Sequence, residues 1–284
     1  MRKFFSIIGF MSLILVSFIY TEKIANMVID KDKLMMTIKE ESKIYEIETV
    51  EAIINNNNTI IPGINGLKVN NKESYKQMKK YGIFNNNLLE FSEVSPKHKL
   101  KDNYDKYVIS GNKEKNAVSL IFLVYENSDL DSIINILKEK NIKANFFVDG
   151  YWFEKNNDRV YELINNGYVI GNLSYNQNYN DSAFVWMDTI LKRVGKQKQG
   201  FCYAETENSE FLEICSLNKN ITIKPSLILK NNYYQNIKEN LVSGSIISLE
   251  INSSLKQELP IIINYIHSKG YKIENLTELL SEKR

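Results

Sequence analysis

Val118-Ser119-Leu120-Ile121-Phe122-Leu123-Val124 is an almost unbroken apolar run of the length of one strand. A strand that is apolar on both faces must be covered on both, which marks a parallel sheet with helices outside it. The chain continues in that pattern. Residues 130–140 are amphipathic at helical spacing, 144–148 form a second apolar run, 159–166 read as a helix closed by Gly167, and 168–170 read as a strand. Later, 245–249 read as a strand and 259–269 as a helix closed by Gly270. This alternation predicts an α/β domain whose parallel sheet is open or closed into a barrel.

Moving outward, the chain has 284 residues, enough for a large domain and a smaller one. The net charge of +2 and the lack of a Lys/Arg run interleaved with aromatics exclude nucleic acid as a partner class. Arg2 and Lys3 precede an apolar stretch over 4–20, which ends at Glu22 and Lys23. About 17 apolar residues behind a basic flank fit a signal anchor or a signal peptide. The exit Ser17-Phe18-Ile19-Tyr20-Thr21 is too bulky for a small-residue cleavage site. Residues 1–23 are therefore read as a single-pass cell-membrane anchor with the C-terminal domain extracytoplasmic. Cleavage after Thr21 would instead give a secreted protein.

Residues 24–43 carry Ile24, Met27, Val28, Leu34, Met35 and Ile38 at helical spacing without Pro or Gly, and read as a helical stalk. Residues 44–115 read as a small α+β module: a period-2 stretch from Tyr45 to Val50, strand-turn-strand over 59–69, and a short helix capped by Ser74. In Ile61-Pro62-Gly63-Ile64-Asn65-Gly66 the Pro and Gly serve turn geometry. Residues 116–284 form the main domain. Cys202 and Cys215 are the only cysteines, and their spacing fits a disulfide without establishing one.

Several segments of the main domain recur together in one known family. They are Val118 to Phe122; Leu137-Lys138-Glu139-Lys140-Asn141-Ile142-Lys143-Ala144-Asn145-Phe146-Phe147; Glu154-Lys155-Asn156; Gly167-Tyr168-Val169-Ile170-Gly171-Asn172; Gly244-Ser245-Ile246-Ile247; Leu259-Pro260; Gly270-Tyr271-Lys272; and Leu276-Thr277-Glu278-Leu279-Leu280. In this order they resemble the polysaccharide deacetylases (NodB-homology domain, carbohydrate esterase family 4). The resemblance implies a distorted (β/α) barrel with fewer units than a TIM barrel. It also implies hydrolysis of acetyl groups on polysaccharides, in which an Asp and two His hold a metal that activates water and a second Asp acts as base.

The chemistry implied by the resemblance does not carry over. The family's T-F-D-D-G falls on Ile121-Phe122-Leu123-Val124-Tyr125, so both carboxylates are replaced. Its G-N-H-[ST]-x-x-H falls on Gly171-Asn172-Leu173-Ser174-Tyr175-Asn176-Gln177, so both imidazoles are replaced. The Arg motif falls near Phe201-Cys202-Tyr203-Ala204-Glu205, and the closing L-H-D on Leu249-Glu250-Ile251. The expected catalytic set, metal set and cofactor are therefore all none. The chain's two His, His98 and His267, are read as surface residues, and no imidazole pair at ligand spacing exists.

Barrel enzymes place active residues at the C-terminal ends of their strands. Glu126, Asp149, Glu205 and Glu250 fall at such ends, and Tyr151 and Trp152 follow Asp149. These form the candidate cleft. The acids are solvated loop residues or, as two carboxylates at suitable separation, a glycosidase pair. Trp152 either stacks on sugar or packs. The leading expectation is a membrane-anchored extracytoplasmic deacetylase-like protein without catalysis, whose partner is cell-wall glycan or another envelope protein. The alternatives are a scaffold with its cleft filled by side chains, a divergent active deacetylase, and an acid-based glycosidase.

Overall fold

The computed structural model describes residues 2–55, 58–195 and 199–284. The helices are α1 (Arg2–Asp30), α2 (Lys33–Glu41), α3 (Asn71–Lys79), α4 (Leu130–Glu139), α5 (Gly150–Lys155), α6 (Asn157–Asn165), α7 (Asp181–Gly195), α8 (Ser209–Leu217), α9 (Tyr233–Asn240), α10 (Ser253–Ser268) and α11 (Leu276–Leu279). The strands are β1 (Ile53–Asn55), β2 (Thr59–Ile61), β3 (Gly66–Val69), β4 (Phe91–Val94), β5 (Tyr107–Val108), β6 (Ala117–Val124), β7 (Asn145–Val148), β8 (Val169–Asn172), β9 (Gly200–Tyr203), β10 (Asn220–Ile223), β11 (Leu227–Leu229), β12 (Ile246–Glu250) and β13 (Lys272–Ile273). The chain divides into two compact units, one of residues 1–49 and 66–94 and one of 50–65 and 95–284.

The larger unit is α/β. Its sheet runs β1-β2-β5-β10-β9-β8-β7-β6-β12-β11, with β13 also on β6, and every pairing but β1–β2 is parallel. The sheet is curled into a partial barrel of the deacetylase type. Strand β6 shows why the opening run decides the fold. All its residues are buried, and they divide by the two-residue strand period. Val118, Leu120, Phe122 and Val124 join the outer helices, packing with Ile133, Leu137, Ile262 and Ile266. Ile121 and Leu123 join the inner cluster with Phe147, Leu173, Tyr203 and Ile246.

The N-terminal end of the barrel is closed by α11, whose Leu276 and Leu279, with Leu280, belong to the inner cluster. The Leu276 N–H donates to buried Asn145 Oδ1 at 2.7 Å. Asn145 Nδ2 donates to Ser119 Oγ at 2.8 Å and to the Leu120 carbonyl at 2.7 Å, so this polar core residue is satisfied.

The stretch expected to form one module over 44–115 is shared between the two units. Strand β2 lies parallel to β5, and β5 parallel to β10, so residues from this stretch extend the barrel sheet. Local patterning carries no trace of such distant pairings. Gly63 is a packing requirement, as expected for its turn: a Cβ there would lie 2.4 Å from the Val50 carbonyl and 2.7 Å from Pro96.

In the smaller unit the helix expected over 24–43 is interrupted after Asp30. Asp32 accepts the Leu34 N–H at 2.8 Å and so caps a new helix, α2. Its other oxygen accepts the Tyr75 hydroxyl at 3.0 Å. Met35 and Ile38 are buried with Tyr75 and Met78 of α3, which makes α2 part of a packed core and not a free stalk. Helix α3 is capped by Asn70, and the expected cap Ser74 is buried within it, exchanging hydrogen bonds with Glu90.

The expected membrane span over 4–20 lies in part outside the residues whose side chains are described. Among the described residues no helix is long and apolar enough to cross a membrane. Helix α1 nonetheless exposes Leu13, Val16, Phe18 and Ile19, each by more than half.

Candidate functional site

The C-terminal ends of β6, β7 and β12 meet at a cavity of about 580 Å³ lined by Tyr125, Glu126, Asn127, Ser128, Asp149, Tyr151, Asn176, Glu250 and Ile251. Of the predicted cleft residues, Glu126, Asp149, Tyr151 and Glu250 line this cavity, and Glu205 and Trp152 do not. Trp152 is 5% exposed and packs in the outer hydrophobic cluster, so the sugar-stacking reading fails for it. Glu205 pairs with Lys230, 3.1 Å away.

The turn 171–177 builds one wall. A Cβ on Gly171 would lie 2.4 Å from the Phe147 ring, so only glycine allows this approach. Asn172 Oδ1 accepts the Ser174 N–H at 2.7 Å, and Ser174 Oγ donates to the Asn178 carbonyl at 2.9 Å. Ser174, Asn176 and Gln177 have φ of 54°, 50° and 58°, a left-handed run that costs non-glycine residues on the order of 1 kcal/mol or more each. Asp149 helps to hold this conformation. Its Oδ1 accepts the Tyr151 N–H at 2.9 Å, capping α5, and its Oδ2 accepts the Asn176 N–H at 2.6 Å. With both oxygens on backbone donors and 1% exposure, Asp149 joins two loops at the mouth.

Where the family pattern requires ligands and base, the side chains are packed. Leu123 is 2% and Leu173 0% exposed, both in the inner cluster with Phe147 and Tyr203. Val124 alternates to the opposite face and belongs to the outer cluster. Gln177 Nε2 donates to Tyr125 Oη at 2.8 Å, tying the end of β6 to the turn. Tyr125 stands where the family motif has glycine, and sequence reasoning did not select it. The signal was available, because residue 125 shares the inward period of Ile121 and Leu123. Burial raises the Tyr125 phenol above its ordinary range; the Gln177 hydrogen bond opposes this, and Glu205, Glu250 and Asp149 add to it. Burial likewise holds the Tyr203 phenol high, and its hydroxyl pairs with Ser248 Oγ at 2.9 Å.

These residues do not fit the family's metal. Two leucines offer no lone pair, Gln177 is engaged by Tyr125, and among the described residues no group of three or more His, Cys, Asp or Glu could hold a metal ion. Glu250, at the former His, is paired in register with Leu123. Cys202, near the former Arg, faces away from the barrel interior and forms a disulfide with Cys215, with Cα atoms 6.5 Å apart. His98 and His267 are exposed.

Comparison with known proteins agrees with this geometry. Residues 110–209 match the polysaccharide deacetylase family. The uncharacterized protein YlxY of Bacillus subtilis (strain 168) is 27% identical over 278 residues, covering 89% of this chain and 85% of the relative. Wild-type BA3943, a CE4 family pseudoenzyme from Bacillus anthracis, matches with a TM-score of 0.68 at 27% identity, over 89% of this chain and 97% of that one. A BA3943 mutant with restored enzymatic activity matches with a TM-score of 0.67 at 27% identity, over 89% of this chain and 100% of that one. The barrel thus fits a degenerate polysaccharide deacetylase domain of carbohydrate esterase family 4, in which the family's metal ligands and base are replaced.

Proposed function

We propose that this is a membrane-anchored, extracytoplasmic deacetylase-like protein that has no catalytic activity and binds envelope glycan at the barrel mouth. The observation that carries the reading is the contrast at that mouth. Leu123 and Leu173 fill the inner positions, yet a cavity of about 580 Å³ with an exposed tyrosine and three carboxylates stays open above them. A domain kept only as a packing scaffold has no use for that opening, which favours ligand binding over the filled-cleft alternative. Restored activity in a BA3943 mutant supports the view that such domains lose activity through side chains while the scaffold persists.

The location rests on three supports. Arg2 and Lys3 flank the apolar stretch on one side, and its described part is exposed apolar surface, which suits lipid. The Cys202–Cys215 disulfide suits an oxidising compartment outside the cytoplasm.

Two measurements test the reading. The full chain in detergent, incubated with acetylated chitooligosaccharides or peptidoglycan and zinc, cobalt or manganese, is expected to release no acetate. Chelator-sensitive release would sink the inactive assignment. The same preparation is expected to co-sediment with purified peptidoglycan, and failure to do so at any tested concentration would sink glycan binding.

A further inference from the structure

We infer that the mouth cavity selects amino sugars carrying a free, positively charged amine over their N-acetylated counterparts. The inference rests on the glycan-binding reading above and names its ligand class. The cavity itself defines the site; its charges and its closed inner wall choose between two ligand chemistries.

The inner wall removes the acetyl-specific part of the site. An acetamido group directed to the reaction centre would meet Leu123, Leu173, Phe147 and Tyr203, which share one buried cluster, and the Tyr125–Gln177 hydrogen bond across the entrance. Acetyl-binding depth and metal are both gone, so the acetyl group gains nothing there.

What remains is a rim with excess negative charge. Three carboxylates, Glu126, Asp149 and Glu250, line the cavity, and its described lining holds no lysine or arginine. Glu126 pairs with Lys155, and Glu205 with Lys230. Among the described residues Asp149 and Glu250 have no cation within ion-pair distance, and the Glu250 charge is felt by Lys230, which pairs with Glu205. Asp149 is fixed by two backbone N–H groups, so its charge cannot swing away from the cavity. Glu250, half-buried, adds to the field that raises the Tyr125 phenol. A focused negative field in a concave site attracts a cation, and an ammonium–carboxylate hydrogen bond is about twice as strong as a neutral one. Tyr151, 46% exposed and edge-on to Tyr175 at 4.9 Å, supplies a held aromatic surface for a pyranose ring. A glucosaminium unit satisfies both features, whereas an acetamide satisfies the ring contact alone.

The test is calorimetric titration of the full chain in detergent with a glucosamine tetramer and, separately, an N-acetylglucosamine tetramer. The free-amine tetramer is expected to bind about tenfold more tightly or better, a difference of about 1.4 kcal/mol. Glu250→Gln is expected to abolish most of that preference, read as the ratio of the two affinities. Equal affinity, or preference for the acetylated tetramer, overturns charge selection but leaves glycan binding standing. No binding of either overturns both. A preference that survives Glu250→Gln and Glu126→Gln together would also overturn the assignment to this rim.

Discussion

The two ends of the barrel are closed in different ways. At the N-terminal end, α11 drives Leu276, Leu279 and Leu280 into the inner cluster, and the buried polar residue Asn145 is satisfied by three hydrogen bonds. At the C-terminal end, leucines seal only the depth, and a polar rim with unpaired carboxylates stays open to solvent. The first end is arranged for stability. The second keeps a constrained turn, a buried acid fixed by backbone donors and an exposed tyrosine, none of which packing alone requires. The replaced ligand positions Leu123 and Leu173 lie in the inner layer of the mouth, and a cavity stays open above them.

Substitutions at the two ends should therefore separate stability from binding. The largest effect is expected at the closed end. Leu279 is fully buried against the backbone of Gly111, and Leu279→Ala should cost about 2–5 kcal/mol by urea unfolding without changing glycan binding per folded molecule. A loss below 1 kcal/mol would mean that α11 is not the seal described here.

Reduction of Cys202–Cys215, or Cys202→Ala with Cys215→Ala, should cost about 2–4 kcal/mol, since the bond closes a loop with a sequence separation of 13. Unfolding midpoints with and without reductant check this. At the mouth, Gln177→Leu removes the Tyr125 tie and leaves that phenol without its partner. A loss of about 0.5–1.5 kcal/mol is expected, with weakened glycan binding as the turn loosens. Wild-type binding in this variant would show the tie to be incidental.

The smallest effect is a pH dependence. Tyr233 donates to the Glu250 carbonyl at 2.7 Å, and burial pushes its phenol up to about 12. The folded state favours the protonated phenol, so this contribution is complete below pH 10 and is lost as pH rises from about 10 to about 12. Thermal unfolding across that window should show a falling midpoint, with a shallower fall in Tyr233→Phe. An identical slope in the variant would assign the alkaline loss to other tyrosines.

Much of this molecule was legible in the chain. The run 118–124 and the strand–helix alternation after it marked a parallel sheet, because strands buried on both faces leave strong local marks, while the resemblance carried by 137–147 and the Gly-Asn opening at 171 implied the barrel. The helix break at Asp32 was not legible. A single Asp in an amphipathic stretch becomes a cap only when Tyr75, distant in sequence, takes its other oxygen. The placement of β2 and β5 in the barrel sheet depends on pairings with strands far along the chain. Among the candidate acids, local sequence does not separate Glu250, which lines the cavity, from Glu205, which pairs with Lys230.

Two things could be read from the chain alone: a parallel α/β domain, made a barrel by the family resemblance, and the replacement of the family's ligands and base. With two histidines far apart, and leucine, valine and glutamine at the family's positions, a His-based metal site is excluded by inventory, because leucine and valine have no lone pair to give. Only the tertiary structure decided what took the metal's place. It buried Trp152, turned Val124 outward and Tyr125 inward, joined the two cysteines, and left Asp149 and Glu250 on one open rim. Those outcomes depend on which side chains from distant segments share a face, and that is fixed by the curl and register of the sheet, not by any local stretch.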